Sequence, residues 1–93
     1  MFTIPRANVI ESDEGFSVEV LLPDGLLYKE GIKTLHIESS RVIGPAILGM
    51  HKDSIRAWDP PDDGIAIDKR KRDRIVDNIR RAFRFRGIEI EVV

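Results

Sequence analysis

The segment from Asp68 to Gly87 constrains the fold of this 93-residue chain more than any other feature. At 100° per residue, five apolar side chains of the segment fall within one arc of about 120°. They are Ile75, Val76, Ile79, Ala82 and Phe83. Asp68 is a favourable N-cap and Gly87 a favourable residue after the C-cap, so the pattern predicts one amphipathic helix over residues 68–86. A helix with one apolar face needs a second layer to cover it.

Period-two alternation in the first two thirds of the chain predicts that second layer. A β-like stretch opens at Val9, and the apolar residues from Phe16 to Leu22 alternate with polar ones. Pro23-Asp24-Gly25 is a strong turn signal, after which residues 26–30 can pair back. Residues 32–38 alternate again, and short strands joined by such turns are typical of an antiparallel meander.

The predicted fold is therefore α+β, with an antiparallel meander sheet packed against one long C-terminal helix and followed by a final strand. We expect a single domain over residues 1–93, because a chain of this length buries enough surface for one core only. Its parts are a β-rich region at 7–58, a Pro/Asp loop at 59–67, the helix at 68–86 and a terminal strand at 88–93. Residues 39–50 fit either a short strand pair or one bulged strand.

Composition excludes several classes of function. The chain has no cysteine, which excludes disulfides, thiolate nucleophiles and cysteine-ligated metals. No apolar run approaches the roughly 20 residues of a membrane helix. The N-terminus lacks the basic start and apolar stretch of a secretory signal, so we expect a cytoplasmic protein without a membrane partner.

The sequence also lacks a recognisable catalytic, cofactor or metal site. His36 and His51 are the only histidines, and neither lies in a nucleophile turn. The acidic series from Asp59 to Asp68 lacks the alternating ligands and closing glutamate of a calcium loop. No glycine-rich loop of the phosphate-cradling or dinucleotide-binding kind is present. We therefore predict no enzyme activity, no cofactor and no metal.

Charge is distributed unevenly along the chain, although the net charge is only −1. Residues 1–67 carry 6 basic and 11 acidic side chains, whereas residues 68–86 carry 9 basic and 3 acidic ones. The basic helix at 69–86 is one candidate interaction surface, and a small nucleic-acid-binding domain is the alternative function that it suggests. The i,i+4 pairs Lys69–Asp73 and Asp77–Arg81 and the i,i+3 pairs Arg70–Asp73 and Asp77–Arg80 favour instead a solvated, salt-bridged helix.

The loop that contains Trp58 is the other candidate surface. A tryptophan beside Pro60-Pro61 could anchor a protein partner, since aromatic residues dominate interface energetics. In a domain of this size a lone tryptophan is more often part of the core. We favour the core position for Trp58 and keep it among the candidate contacts.

Several segments of the chain resemble one protein family. They are Tyr28-Lys29-Glu30-Gly31, Leu35-His36-Ile37, Asp53-Ser54-Ile55 with Trp58-Asp59-Pro60-Pro61, and Arg74-Ile75-Val76-Asp77-Asn78-Ile79 closed by Gly87. The chain from about Val9 to Val92 resembles the immunity protein 74 family, small bacterial proteins encoded beside polymorphic toxins. The most specific piece is Ser-Ile-x-x-Trp-Asp-Pro-Pro at 54–61. The turn at 23–25 and the stretch at 44–49 depart from the pattern.

The resemblance implies a cytoplasmic, non-catalytic inhibitor whose partner is a cognate toxin protein. A basic toxin site would be met by the acidic loop, and an acidic toxin surface by the basic helix. The sequence leaves both open. The candidate contact residues are Trp58, Asp59, Asp62, Asp63, Arg70, Arg81 and Arg84. A homo-oligomer is compatible with the sequence, but nothing in the sequence indicates one.

Overall fold

The computed structural model describes residues 1–21, 25–41 and 48–93 of the chain. Within them lie eight β-strands, one short 3-10 helix and one α-helix. The strands are β1 (Phe2–Arg6), β2 (Val9–Ser12), β3 (Phe16–Val20), β4 (Leu26–Glu30), β5 (Lys33–Ile37), β6 (Ser39–Arg41), β7 (Leu48–Met50) and β8 (Ile90–Val92). The 3-10 helix is Lys52–Ser54, and helix α1 is Lys69–Phe85.

Strands β1 to β5 form an antiparallel meander in chain order, which confirms the predicted α+β class. Ile10, Val18, Tyr28 and Leu35 lie opposite one another across β2 to β5. All four side chains are buried, so this row forms part of the buried face of the meander sheet. The alternation read from the sequence thus corresponds to one buried and one exposed face of the sheet.

A second sheet contains strands β6, β7 and β8. Strands β6 and β7 pair antiparallel, so the segment that the sequence left open is a short strand pair. Strand β8 pairs parallel with β7, which places the end of the chain in this second sheet. The predicted turn residues Pro23 and Asp24 and the predicted break at Gly44-Pro45 lie outside the described residues.

Helix α1 begins and ends at the predicted signals. The Asp68 carboxylate accepts a hydrogen bond from the Lys71 backbone N–H at 2.8 Å, as an N-cap does. At the other end Gly87 has φ of +76°, and the Ile88 N–H donates to the Phe83 carbonyl at 2.9 Å. This left-handed glycine closes the helix in a Schellman arrangement and turns the chain toward β8.

The buried stripe of α1 packs with both sheets in one core. The buried residues of this stripe belong to the same apolar cluster as the buried face of the meander sheet. They are Ile75, Ile79, Ala82 and Phe83. Met50 from β7 and Ile90 from β8 complete the cluster on the side of the second sheet. The helix therefore lies where the sequence predicts, with its polar face turned to solvent.

Two strand boundaries differ from the predicted ones. The first strand is β1, which begins before the β-rich region expected at residue 7. Its side chains are almost all exposed, so it carries no buried-face alternation that a sequence could show. The terminal strand is only Ile90–Val92, because Ile88 takes part in the helix C-cap.

Candidate protein-binding surfaces

Trp58 lies in the core and is 4% exposed. Its ring stacks on that of Tyr28 with centroids 6.3 Å apart. The ammonium groups of Lys33 and Lys71 lie 5.6 and 6.0 Å from the indole centroid, within cation–π range. The indole is therefore enclosed by the chain itself, and little of it is free to contact a partner.

Asp59 fastens the loop after Trp58 to the outer edge of β5. Its backbone N–H donates to the Thr34 carbonyl at 2.8 Å, and its carboxylate accepts from the Thr34 hydroxyl and the His36 N–H, both at 3.3 Å. The same carboxylate lies 2.6 Å from His36 Nδ1. These bonds cover a strand edge that would otherwise be open to pairing with another chain.

The other two aspartates of the Pro/Asp loop differ in exposure. Asp62 is half-buried, and its backbone forms turn hydrogen bonds of 2.9 Å with Asp59 and Ile65. Asp63 is exposed. Because Asp59 is engaged by β5 and Asp62 is partly covered, Asp63 is the one exposed residue of these three candidates.

Arg81 joins α1 to the turn between β2 and β3. Its guanidinium donates to the Glu14 carboxylate at 2.9 and 3.3 Å and to the Asn78 side-chain oxygen at 2.7 Å. The bond to Arg81 lowers the pKa of Glu14, and the same bond raises the pKa of Arg81. Asp77 lies 3.4 Å from its Nε. Of the three candidate arginines, Arg81 is the one whose charge is already neutralised within the chain.

A row of polar groups continues from Asn78 along the helix–sheet interface. The Asn78 amide donates to the Tyr28 hydroxyl at 3.0 Å, and that hydroxyl donates to Glu30 at 2.8 Å. Burial raises the pKa of Tyr28 well above its ordinary value, so the phenol stays protonated. Burial would also raise the pKa of Glu30, but hydrogen bonds from Lys71 and Tyr28 outweigh it and lower that pKa overall.

The lowered pKa of Glu30 predicts an acid-sensitive contribution to stability. A carboxyl with a lowered folded-state pKa stabilises the fold above its ordinary pKa of 4.5 and loses that contribution as the pH falls. We expect Glu30→Gln to lower the free energy of unfolding by about 1 kcal/mol at pH 7. At pH 3 the difference in the free energy of unfolding between the variant and the wild type should be smaller.

Urea unfolding of both proteins at pH 7 and pH 3 measures this difference. Glu11→Gln is the matched control, because Glu11 is exposed and forms no ion pair among the described residues. If Glu30→Gln lowered the free energy of unfolding by the same amount at both pH values, the role assigned to the ionised Glu30 carboxylate would be contradicted.

The remaining candidate arginines, Arg70 and Arg84, are exposed on α1. The predicted i,i+4 pairs of the helix surface are present, whereas the predicted i,i+3 pairs Arg70–Asp73 and Asp77–Arg80 are not among the ion pairs of the described residues. Lys69 and Asp73 lie 2.9 Å apart, and Arg81 reaches Asp77, as expected. In the part of the chain that the structure describes, Arg70 and Arg84 form no ion pair.

Both histidines line a groove of about 800 Å³ beside β5 and the 3-10 helix. His36 contacts the Asp59 carboxylate, whereas His51 Nε2 lies 3.1 Å from the Ser40 hydroxyl. A serine and a carboxylate are thus near different histidines, and residues 1–21, 25–41 and 48–93 bring together no Ser-His-Asp triad. Within the same ranges no group of three or more His, Cys, Asp or Glu is placed to hold a metal ion.

Arg74 and Arg80 are exposed and share the outer face of α1 with Arg70 and Arg84. Sequence reasoning included both in the basic helix at 69–86 but left them out of the candidate contacts. It also missed Glu30 and Asn78 as members of the interface network. Their partners are 41 and 50 residues away in the chain, beyond what local patterns can show.

These surfaces belong to a small α+β domain that presents a charged helix and a fastened acidic loop. Residues 21–93 match the family described as Immunity protein 74, and the chain belongs to this family, as the resemblance predicted. The matched range runs from the end of β3 through β8, and strands β1 to β3 precede it. Comparisons with curated proteins and with solved structures give no significant match.

None of the described helices is long and apolar enough to cross a membrane.

Proposed function

We propose that this protein binds a cognate bacterial toxin and neutralises it by protein–protein contact, without catalysis. The observation that carries the proposal is the match of residues 21–93 to the immunity protein family. Immunity proteins are generally non-catalytic, and their inhibitory effect comes from covering a toxin's active site or substrate path. In this proposal the protein acts in the bacterial cytoplasm, beside a gene for a polymorphic toxin.

The fold is compatible with this role. One polar network and one apolar core hold α1 against the sheet, so its outer face is presented as a preorganised surface. A specific complex buries about 800 Å² on each partner. The chain exposes 6014 Å², so one face of the molecule suffices for such a complex. A rigid surface also lowers the ordering cost of binding.

Complex formation with the product of the adjacent toxin gene tests the proposal. We expect an inactive variant of that toxin to co-elute with this protein in size-exclusion chromatography at one-to-one stoichiometry. Isothermal titration should give a Kd of about 10⁻⁸ M or tighter. The control is an immunity protein of unrelated sequence, which should not bind. Separate elution of the two folded proteins and no heat of binding would contradict the proposal.

A further inference from the structure

We propose that the toxin-binding surface is an arginine stripe on α1 and that the toxin surface it meets is acidic; this rests on the function proposed above. The stripe consists of Arg70, Arg74, Arg80 and Arg84, all exposed. At 100° per residue they span an arc of about 120° on the side of the helix away from the buried Ile79. At 1.5 Å per residue, Arg70 and Arg84 are about 21 Å apart along the axis.

The four arginines of the stripe form no ion pair within the described residues. Of the two acids between its ends, Asp73 pairs with Lys69 at 2.9 Å, whereas Asp77 lies 3.4 Å from Arg81, whose guanidinium already holds Glu14. In residues 1–21, 25–41 and 48–93, no acidic side chain lies within ion-pair distance of any stripe arginine. Four guanidinium groups are therefore available to an outside partner.

The placement of Arg70 works against the stability of the helix, whereas Arg84 lies in the last turn, where a cation is favoured. The first turn of α1 contains Lys69, Arg70, Lys71 and Arg72 and no acidic residue. Cations at a helix N-terminus are repelled by the macrodipole, which favours acids there. Lys71 is relieved by its ion pair with Glu30, whereas Arg70 has no such partner among the described residues. A residue whose placement lowers the stability of its helix is expected at positions that are used for binding.

The acidic loop is the weaker candidate for the same role. Asp59 already accepts hydrogen bonds from β5, and Asp62 is half-buried. Asp63 alone among them is exposed. The helix offers four exposed charges of one sign along a rigid rod, so the observations favour a basic docking surface and an acidic partner.

A protein fits the stripe better than a nucleic acid does. Asp73 and Asp77 lie among the arginines on this helix face, where they would repel a phosphate backbone, which is negatively charged along its whole length. An acidic protein surface can place its carboxylates opposite the arginines and neutral or basic groups opposite the two aspartates. Phe85, the exposed aromatic residue of α1, is 50% exposed, and its ring packs on Phe2 with centroids 5.6 Å apart. Arginine binds carboxylates in a bidentate geometry, which gives such a stripe orientation as well as attraction.

A matched pair of charge-reversal variants tests the stripe. The stripe variant is Arg70→Glu with Arg84→Glu, and the control is Lys29→Glu with Arg56→Glu, two exposed cations outside α1. Both change the net charge equally, and thermal melts first establish that both variants fold. Binding of the inactive toxin encoded by the adjacent gene is then measured at 50 and 300 mM salt.

We expect the stripe variant to bind at least about tenfold more weakly at low salt, mainly through slower association, and to lose most of the salt dependence. The control should stay within about twofold of wild type. Equal affinities for wild type and the stripe variant would overturn the stripe while leaving the proposed function intact. Failure of the wild-type protein to bind at all would overturn the proposed function itself.

Two further outcomes would also overturn the stripe. One is a control variant that weakens binding as much as the stripe variant, which would show a general charge effect. The other is wild-type binding to a 20-base-pair DNA duplex at 150 mM salt that is lost in the stripe variant while toxin binding is unchanged. That result would assign the arginines to a nucleic acid.

Discussion

We expect the substitution Ile79→Asp to unfold the domain. Ile79 is 0% exposed and lies in the middle of the buried stripe of α1. An aspartate there would place an unpaired charge in the apolar core, at a cost of more than about 4 kcal/mol. That is comparable to the whole stability of many domains, about 5–15 kcal/mol. Circular dichroism at 25 °C should show the spectrum of an unfolded chain. A thermal melt should show no cooperative transition.

Arg80→Asp is the matched control for this prediction. It introduces the same side chain at the next position of the same helix, but Arg80 is exposed. We expect the free energy of unfolding to change by no more than about 0.5 kcal/mol, as is usual for exposed sites. A folded Ile79→Asp variant with the wild-type midpoint would contradict the assignment of the helix face.

The second large effect is expected for Trp58→Ala. The indole is nearly fully buried and stacks on Tyr28, so its removal leaves a cavity between the sheet and the helix start. Replacing a buried tryptophan by alanine costs about 3–5 kcal/mol. For a domain of this size the midpoint of the thermal transition should fall by at least about 12 °C. Differential scanning calorimetry measures both quantities.

Trp58→Phe separates packing from partner contact. Phenylalanine keeps most of the apolar volume, so the variant should be more stable than Trp58→Ala and bind the toxin like wild type. A Trp58→Ala variant of unchanged stability that no longer bound the toxin would identify Trp58 as an interface anchor and contradict its role in the core.

Local sequence patterns were sufficient for the elements that have one buried face. Helix α1 was predicted from its buried apolar stripe, which includes Ile75 and Ile79, and from its caps Asp68 and Gly87. Each of these signals acts within a few residues. The meander followed from alternation at Phe16, Val18 and Leu35, whose burial in the structure has the same period.

Features that depend on distant partners could not be predicted. The parallel pairing of β7 with β8 joins two three-residue strands that are separated by the whole helix. Strand β1 pairs along the sheet edge but buries little, so its residues show no periodicity. No local pattern reports a long-range partner, and such pairings are therefore visible only in the structure.

The candidate contact residues show the same division. Their types and positions were available from sequence, but their pairing states were not. Arg81 proved to be held by Glu14, which is 67 residues away, and Asp59 by residues of β5. Among the seven candidate contact residues, Asp63, Arg70 and Arg84 are exposed and form no ion pair within the described residues, and this distinction is visible only in the structure.

Growth protection tests the central claim most directly. Cells that express the product of the adjacent gene, which we propose is the toxin, should stop growing, and co-expression of this protein should restore growth. Ile79→Asp should fail to protect, whereas the control Lys29→Glu with Arg56→Glu should protect like wild type. Arrested growth in the presence of folded, abundant wild-type protein would contradict the proposal that this chain neutralises that toxin.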